Sequence, residues 1–208
     1  MKNYYISLEL DNYYHIYNHA VGQDVLFKKK ENYNFFLKKY SEYINPIADT
    51  FAYCLMPNHF HFAVKIKDEK VIRTKLQDFT KIRDFGRLEL MKVYEKYISK
   101  QFSNLFSSYT QSFNRQQNRK GTLFMKPFKR IRIKNEIYLK NAIHYIHYNP
   151  VYHGFVDNSG DWKFSSYNSF FTKKETKLKR KEVIELFGDL DNFYFVHKKE
   201  TDDNIFDE

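Results

Sequence analysis

The feature that most constrains the fold is a pair of β-forming segments around a short turn, between residues 47 and 66. Ile47 to Leu55 and His59 to Ile66 both read as strands, and Met56-Pro57-Asn58 between them is typical of a tight turn. Strands joined by so short a connection pair in antiparallel fashion. The sequence therefore predicts a β-hairpin in this region.

The remaining patterns predict an α+β protein. The further predicted elements are a strand at Tyr13 to Val21, helices at Asn32 to Ile44, Val71 to Phe85 (which Leu88 to Tyr97 extends or follows) and Gln101 to Asn118, an extended basic segment at Thr122 to Lys134, a helix at Ile137 to Tyr148 stopped by Asn149-Pro150, an aromatic segment at Trp162 to Phe171 and a helix at Glu182 to Phe187. This order predicts a ferredoxin-like antiparallel sheet with helices packed on one face, plus a helical and aromatic C-terminal extension. We expect a core at residues 1–134, an extension packed on it at 135–200 and an acidic tail at 201–208.

The composition is basic and aromatic. The formal net charge is +10, and the chain contains 21 Phe and 18 Tyr. Cations neutralise phosphates and aromatic rings stack on bases, so this balance suits a nucleic acid with exposed bases. In a lysine-rich proteome the same charge would serve solubility alone. The net charge by itself does not decide between a nucleic-acid-binding surface and a surface that is merely soluble.

The single cysteine, Cys54, excludes an intramolecular disulfide and a multi-thiolate metal site, and it fits a reducing cytoplasm. The N-terminus lacks the apolar core of a secretory signal. No apolar run approaches the roughly 20 residues that a membrane span requires. We therefore expect a cytoplasmic protein without a membrane partner.

The strand predicted after the turn carries the most informative residues. Side chains alternate along a strand, so His59 and His61 share one face while Phe60 and Phe62 share the other. Two neighbouring imidazoles can chelate one divalent ion. For an arbitrary His-x-His, a polar pair on an exposed strand face is the commoner situation. The turn immediately before His59 favours the metal interpretation.

Several motifs resemble a known family. Tyr14-His15-Ile16-Tyr17-Asn18-His19 and the stretch from Ala52 to Phe62, which contains Met56-Pro57-Asn58-His59-Phe60-His61, resemble the single-tyrosine HUH transposases. Asn149-Pro150-Val151 and Ser165-Ser166-Tyr167 resemble more particularly the REP-associated tyrosine transposases. The resemblance covers roughly Tyr13 to Phe171, and the MPNHxH stretch is its most specific part.

The resemblance implies a set of site residues. In that family the two histidines hold Mg²⁺ or Mn²⁺, a helix presents a tyrosine nucleophile, and a polar third ligand follows about one turn later. The segment matched to that helix places Tyr109 as the nucleophile, although the residues alone give it no preference over Tyr94, Tyr97 or Tyr145. The residue four positions on is Phe113, which cannot ligate a metal, so Asn114 is preferred over Gln111 as third ligand.

The implied activity is that of a metal-dependent single-stranded DNA endonuclease and transposase. Its tyrosine would form a 5′-phosphotyrosine intermediate and release a 3′-hydroxyl at hairpin or palindromic repeats, and rejoining would need no ATP. The relatives act as dimers or as monomers, so we expect a monomer or a homodimer. Two alternatives stay open: a non-catalytic DNA- or RNA-binding protein of this fold, and a metallonuclease in which water attacks.

A basic run follows the predicted nucleophile helix. It contains no acid and includes Arg115, Arg119, Lys120, Lys126, Lys129, Arg130, Arg132 and Lys134. Most basic runs of this kind form an ordinary solvent-exposed surface. The position beside the predicted metal site favours contacts to the phosphates of single-stranded or hairpin DNA.

Other histidines receive no metal role. His144 and His147 could share a helix face, but they lie among apolar residues where packed, hydrogen-bonded histidines are common. His15 and His19 share a strand face, and the sequence assigns neither a function.

Overall fold

The computed structural model of the chain describes residues 6–76 and 86–201. The strands are β1 (Tyr13–His19), β2 (Ala48–Leu55), β3 (His59–Ile66) and β4 (Lys129–Ile133), and the helices are α1 (Lys30–Tyr43), α2 (Glu69–Lys75), α3 (Arg87–Gln116), α4 (Glu136–Tyr152), α5 (Arg180–Phe187) and α6 (Leu190–His197). Short 3-10 helices span Ser159–Asp161 and Tyr167–Phe171. None of the described helices is both long and apolar enough to cross a bilayer.

The four strands form one antiparallel sheet in the order β2-β3-β1-β4. This order confirms the predicted α+β class. β3 lies in the interior of the sheet between β2 and β1, and its residues His59 and His61 pair with His19 and Tyr17 of β1. Paired residues point to the same side of an antiparallel sheet, so these four side chains share one face.

Each face of the sheet is covered by helices. Phe60 and Phe62 lie on the face covered by α1 and α3, where they meet Phe36 of α1. The opposite face, called here the imidazole face, carries His15, Tyr17, His59 and His61 and is covered largely by α4. Helices α1 and α3 of the predicted core cover one face, and α4, which falls within the predicted C-terminal extension, covers the other. Strand β2 also carries buried side chains towards α4, and an apolar face must be covered.

Helix α4 continues past the predicted stop at Asn149-Pro150. It ends at Tyr152, with Pro150 inside the last turn. Proline lacks a backbone N–H and so removes one helical hydrogen bond, a loss that a helix tolerates close to its end. The N–H of His153 still donates to the carbonyl of Asn149. As a result, Asn149 lies on the helix one turn after Tyr145.

Two further boundaries differ from the sequence expectation. The two segments predicted at Leu88 to Tyr97 and Gln101 to Asn118 form the single helix α3 of 30 residues. The helix predicted from Val71 is described over Glu69–Lys75, and the rest of that prediction, from residue 77, lies outside the described residues. Of the predicted acidic tail only Thr201 is described.

A chain of hydrogen bonds ties α6 to α4 and to the loop that follows. Nδ1 of His197 donates to the carbonyl of Phe193 (2.7 Å), so its Nε2 accepts from Nδ1 of His147 (2.9 Å). Nε2 of His147 then accepts from the hydroxyl of Ser166 (2.7 Å). Nε2 of His144 lies 3.1 Å from the carbonyl of Lys199. These histidines are structural links between packed elements.

This packing predicts acid sensitivity. Burial lowers the pKa of His144 to about 4 and that of His197 to about 3. The unfolded chain takes up these protons first, so the stability is fully present above an unfolded pKa of about 6.5 and is lost towards the folded values. We expect the loss to reach up to about 1.4 kcal/mol per pH unit for each histidine.

Urea unfolding between about pH 7.5 and about pH 5 measures this slope. His197→Gln removes one titrating group, so the variant should have a shallower slope than the unchanged protein. Equal slopes in the two proteins would contradict the role given to His197.

Candidate active site

The turn between β2 and β3 is held from several directions. The N–H of Met56 donates to the carbonyl of His59 (2.8 Å) and closes the turn. The carbonyl of Pro57 accepts from the backbone N–H groups of Leu26 and Phe27, and the carbonyl of Asn58 accepts from Ala20. The first residue of β3 therefore starts from a fixed backbone, which fixes the direction of its side chain.

His59 and His61 lie side by side on the imidazole face. Their ring centroids are 5.1 Å apart, their planes are nearly perpendicular at 85°, and both side chains are buried. This is the arrangement that strand alternation predicts. Within residues 6–76 and 86–201 no group of three His, Cys, Asp or Glu side chains is placed to hold a metal ion. Any further protein ligand beside these two histidines must therefore come from another residue type.

Each of the two imidazoles has a hydrogen-bond partner at its Nδ1 atom. Nδ1 of His59 is 2.8 Å from Oδ1 of Asn58, and Nδ1 of His61 is 2.9 Å from Nε2 of His15 on β1. Nε2 of His59 faces α4, where it lies 2.8 Å from Oδ1 of Asn149. Thus an amide oxygen of α4 meets the first histidine directly.

Helix α4 also brings a phenol to the histidines. The ring of Tyr145 meets His61 edge-on at 5.6 Å between centroids and 89° between planes, and it meets His15 at 5.9 Å. Tyr145 and Asn149 are four residues apart on α4, so both project towards the imidazole face. The site thus contains two imidazoles, an amide oxygen and a tyrosine.

The structure does not place Tyr109, the predicted nucleophile, at this site. Tyr109 lies on α3 in the core beneath the other face of the sheet, with its ring 5.1 Å from that of Phe36. Its hydroxyl donates to the carbonyl of Leu26 (2.5 Å), and burial raises the pKa of this phenol. Because the sheet separates it from His59 and His61, Tyr109 serves as a core residue that holds the loop packed on the β2–β3 turn.

Asn114 is likewise removed from the histidines. Its side-chain NH₂ donates to the carbonyl of Gly121 (2.8 Å), and its Oδ1 accepts from the guanidinium of Arg119 (2.8 Å). Arg119 also binds Asp24 and the carbonyl of Thr122. Asn114, the predicted third ligand, thus fastens the loop after α3 and does not lie beside the two histidines.

The predicted DNA-binding residues do not form one surface. Arg115, Lys120, Lys126, Arg132 and Lys134 are exposed, whereas Arg119, Lys129 and Arg130 are half-buried. Arg132 pairs with Glu9 (3.0 Å), and Arg130 stacks over Phe128 (4.8 Å). Lys129 lies over the ring of Tyr17 at 5.3 Å, beside the imidazole face.

Sequence reasoning missed Tyr145, Asn149 and His15. The signal for the first two was a tyrosine followed four residues later by an amide, which is the spacing that the resemblance implied for the nucleophile and the third ligand. The predicted helix ended at Tyr148, so it left Asn149 outside the helix that carries Tyr145. His15 carried no comparable signal, since only strand pairing brings it beside His61.

The fold and part of the sequence match known proteins, although no protein-family model matches the chain. A Haemophilus influenzae protein named "Putative REP-associated tyrosine transposase" is 28% identical over 122 residues, which cover 58% of this chain and 59% of that protein. A solved REP-associated tyrosine transposase bound to a REP hairpin has a TM-score of 0.57 and 17% identity, covering 83% of this chain and 87% of that chain. The resemblance to the REP-associated tyrosine transposases is confirmed.

The two matches establish similarity of fold and of part of the sequence. The similarity in fold extends over most of this chain, well beyond the His59–His61 hairpin. The sequence match with the curated relative spans about three fifths of that relative's length. Which residues do the chemistry must therefore be argued from the geometry of this chain.

The placement of Tyr109 predicts a structural effect of its hydroxyl. Tyr109→Phe leaves the buried carbonyl of Leu26 without this donor, and we expect the free energy of unfolding to fall by about 1–3 kcal/mol. Urea unfolding measures the loss. The matched control is Tyr33→Phe, because Tyr33 lies in the same core and its hydroxyl forms no hydrogen bond within the described parts of the chain. Equal losses in both variants would contradict the role given to the Tyr109 hydroxyl.

Proposed function

We propose that this chain cuts and rejoins single-stranded DNA by transesterification, with Tyr145 as the nucleophile and with His59, His61 and Asn149 holding a divalent metal ion. The observation that carries the proposal is the contact of Tyr145 with His61 on the imidazole face. A phenol, two imidazoles and an amide oxygen meet there on a strand and a helix. The similarity to transposases supports DNA as the substrate.

The residues fit Mg²⁺ or Mn²⁺. An amide oxygen suits Mg²⁺ and Mn²⁺, neutral imidazole is a common ligand of divalent metals in general, and Mg²⁺ is bound through few protein ligands with water completing the shell. Nδ1 and Nε2 of His59 both face acceptor oxygens, those of Asn58 and Asn149, while a neutral imidazole has only one N–H. A cation that His59 and Asn149 would hold would remove that conflict, because both residues would then direct lone pairs towards it. The buried NH₂ of Asn149 has no hydrogen-bond partner among the described residues, so this amide is held within the protein only through its Oδ1.

The chemistry assigned to Tyr145 is a displacement at phosphorus. When bound, the ion polarises the scissile phosphate and balances the charge that develops on it. The Tyr145 hydroxyl gives up its proton and its oxygen forms a bond to phosphorus, while the bond from phosphorus to the 3′ oxygen breaks and that oxygen takes up a proton as the 3′-hydroxyl. The 5′ end stays linked to the tyrosine. Attack by a 3′-hydroxyl reverses the step and releases the phenol, so rejoining needs no ATP.

The assignment of Tyr145 also restores the ligand spacing that Tyr109 lacked. Four residues after Tyr109 the helix carries Phe113, whereas four residues after Tyr145 it carries Asn149. The proposed nucleophile and all three proposed ligands then lie together within a single copy of the chain. This supports a complete site in the monomer.

The proposed substrate is single-stranded DNA next to a hairpin. The solved relative is bound to a REP hairpin, and a hairpin is a single strand folded back on itself. Lys129 is the first residue of β4 and lies beside Tyr17 on the imidazole face, and the exposed Lys126 and Lys134 lie just before and after this strand. These three lysines supply phosphate contacts. Arg119 is left out of this surface because its guanidinium is engaged within the protein.

A covalent adduct tests the nucleophile. Incubation of the protein with Mn²⁺ and a labelled single-stranded oligonucleotide that carries a hairpin should give a denaturation-resistant protein–DNA adduct. We expect Tyr145→Phe to abolish the adduct, because it removes the attacking oxygen, and Tyr109→Phe to retain it. Denaturing gel electrophoresis is the readout.

The pattern of outcomes separates the alternatives. An adduct lost in Tyr109→Phe but kept in Tyr145→Phe would overturn the assignment. Cleavage without any adduct would favour a water-using metallonuclease, and DNA binding without cleavage would favour a non-catalytic binding protein. His59→Ala and His61→Ala should both prevent cutting while binding of the oligonucleotide persists.

The salt dependence of binding tests the basic surface. We expect Lys126→Gln, Lys129→Gln and Lys134→Gln together to weaken binding of single-stranded DNA, and to reduce the slope of log K against log salt by about 0.7 for each phosphate that is no longer neutralised. Fluorescence anisotropy at several salt concentrations measures both. The control replaces the exposed Lys173 and Lys174, which lie on the loop before α5, with glutamine. If the control changed the slope as much as the triple variant, β4 would be excluded as the DNA path.

A further inference from the structure

A histidine outside the proposed ligand set is built into the site. His15 of β1 is 1% exposed, and its Nε2 lies 2.9 Å from Nδ1 of His61. The register of β1 against β3 brings the two rings together, with centroids 5.1 Å apart. A buried imidazole held this close to a proposed ligand controls how that ligand is oriented.

The contact determines which nitrogen of His61 is available to a metal. A neutral imidazole binds a metal through one nitrogen and carries its proton on the other, and a fixed acceptor for that N–H selects the tautomer. When Nδ1 of His61 donates to Nε2 of His15, Nε2 of His61 is left as the metal-binding atom. His15 then carries its own proton on Nδ1.

The same selection occurs at the other histidine. Nδ1 of His59 is 2.8 Å from Oδ1 of Asn58, an atom that can only accept. This bond leaves Nε2 of His59 as the metal-binding atom, and Nε2 is the nitrogen that faces Asn149. The two acceptors, an imidazole nitrogen of β1 and an amide oxygen of the turn, thus leave Nε2 as the metal-binding atom in both histidines.

His15 also packs against the proposed nucleophile. Its ring stacks on Tyr17 at 5.0 Å and meets the ring of Tyr145 edge-on at 5.9 Å. The ring of His15 therefore lies where β1 meets β3 and α4. Any displacement of this ring changes the space available to both His61 and Tyr145.

We propose that His15 and Asn58 are positioning residues of this site, which accept the Nδ1 protons of His61 and His59 and thereby present both Nε2 atoms to the metal. This inference rests on the proposed function, because it takes His59 and His61 as the ligands. It adds two residues that touch neither the ion nor the DNA.

Mn²⁺ binding in the absence of DNA tests the inference, with free Mn²⁺ measured by electron paramagnetic resonance. Loss of an outer hydrogen-bond partner of a ligand histidine typically weakens metal binding by about 10–100-fold, and we expect an effect of this size in His15→Leu. His15→Gln places an amide oxygen near the position of Nε2 and should recover most of the affinity. Asn58→Ala, at an exposed turn position, should weaken binding through His59.

A buried histidine elsewhere provides the matched control. His197→Gln also removes a hydrogen-bonded imidazole, but one in the link between α6 and α4. It should lower the melting temperature and leave the Mn²⁺ affinity unchanged. In the cleavage assay, His15→Leu should raise the Mn²⁺ concentration needed for half-maximal adduct formation by the same factor by which it weakens Mn²⁺ binding, with the affinity for DNA unchanged.

The outcomes distinguish this inference from the proposed function. If the unchanged protein binds no Mn²⁺, or binds it as well after His59→Ala and His61→Ala, the metal assignment fails and the inference fails with it. If those two variants lose binding while His15→Leu and Asn58→Ala bind as the unchanged protein does, the ligands stand and the positioning role is wrong. If His15→Leu weakens Mn²⁺ binding and His15→Gln does not restore it, His15 is a packing residue and not a hydrogen-bond acceptor for His61. If His15→Leu does not fold, the exposed Asn58→Ala variant decides the question.

Discussion

The alternation of side chains along β3 is the constraint on which the rest of the molecule depends. Each residue of a strand points away from its neighbours, so four consecutive positions supply two apolar rings to one layer and two imidazoles to the other. A shift of one residue in the pairing of β3 would exchange these roles and bury the histidines against α1 and α3. The backbone hydrogen bonds around Pro57 and Asn58 fix the start of the strand and so protect the register.

The sequence was a good guide to what depends on local pattern. The hairpin around Met56-Pro57-Asn58, the strand bounds of β3 and the shared face of His59 and His61 all follow from alternation and turn chemistry, and the structure contains them. The α+β class followed from the order of elements. These features depend on neighbours in sequence, which a single chain displays directly.

The sequence was a poor guide where the decision lay in tertiary packing. Tyr109 and Tyr145 both sit on helices among apolar residues, and nothing local says which helix covers which face of the sheet. Pro150 led to a wrong helix end. The free-energy cost of a proline in a helix depends on how near the helix end it lies, and α4 continues for two residues beyond Pro150. His15 depends on strand register, which the spacing of residues within one strand does not encode.

The placement of Tyr145 and Asn149 on one helix has a mechanical consequence. The proposed nucleophile and the proposed ligand are separated by one turn of the same helix, so a shift of α4 along the sheet would carry the backbone of both by the same amount. Their backbone positions cannot change separately without unwinding the helix, whose His147 is anchored to Ser166. If the two residues act as proposed, the exchange of one DNA end for another would require movement of the nucleic acid across a fixed site.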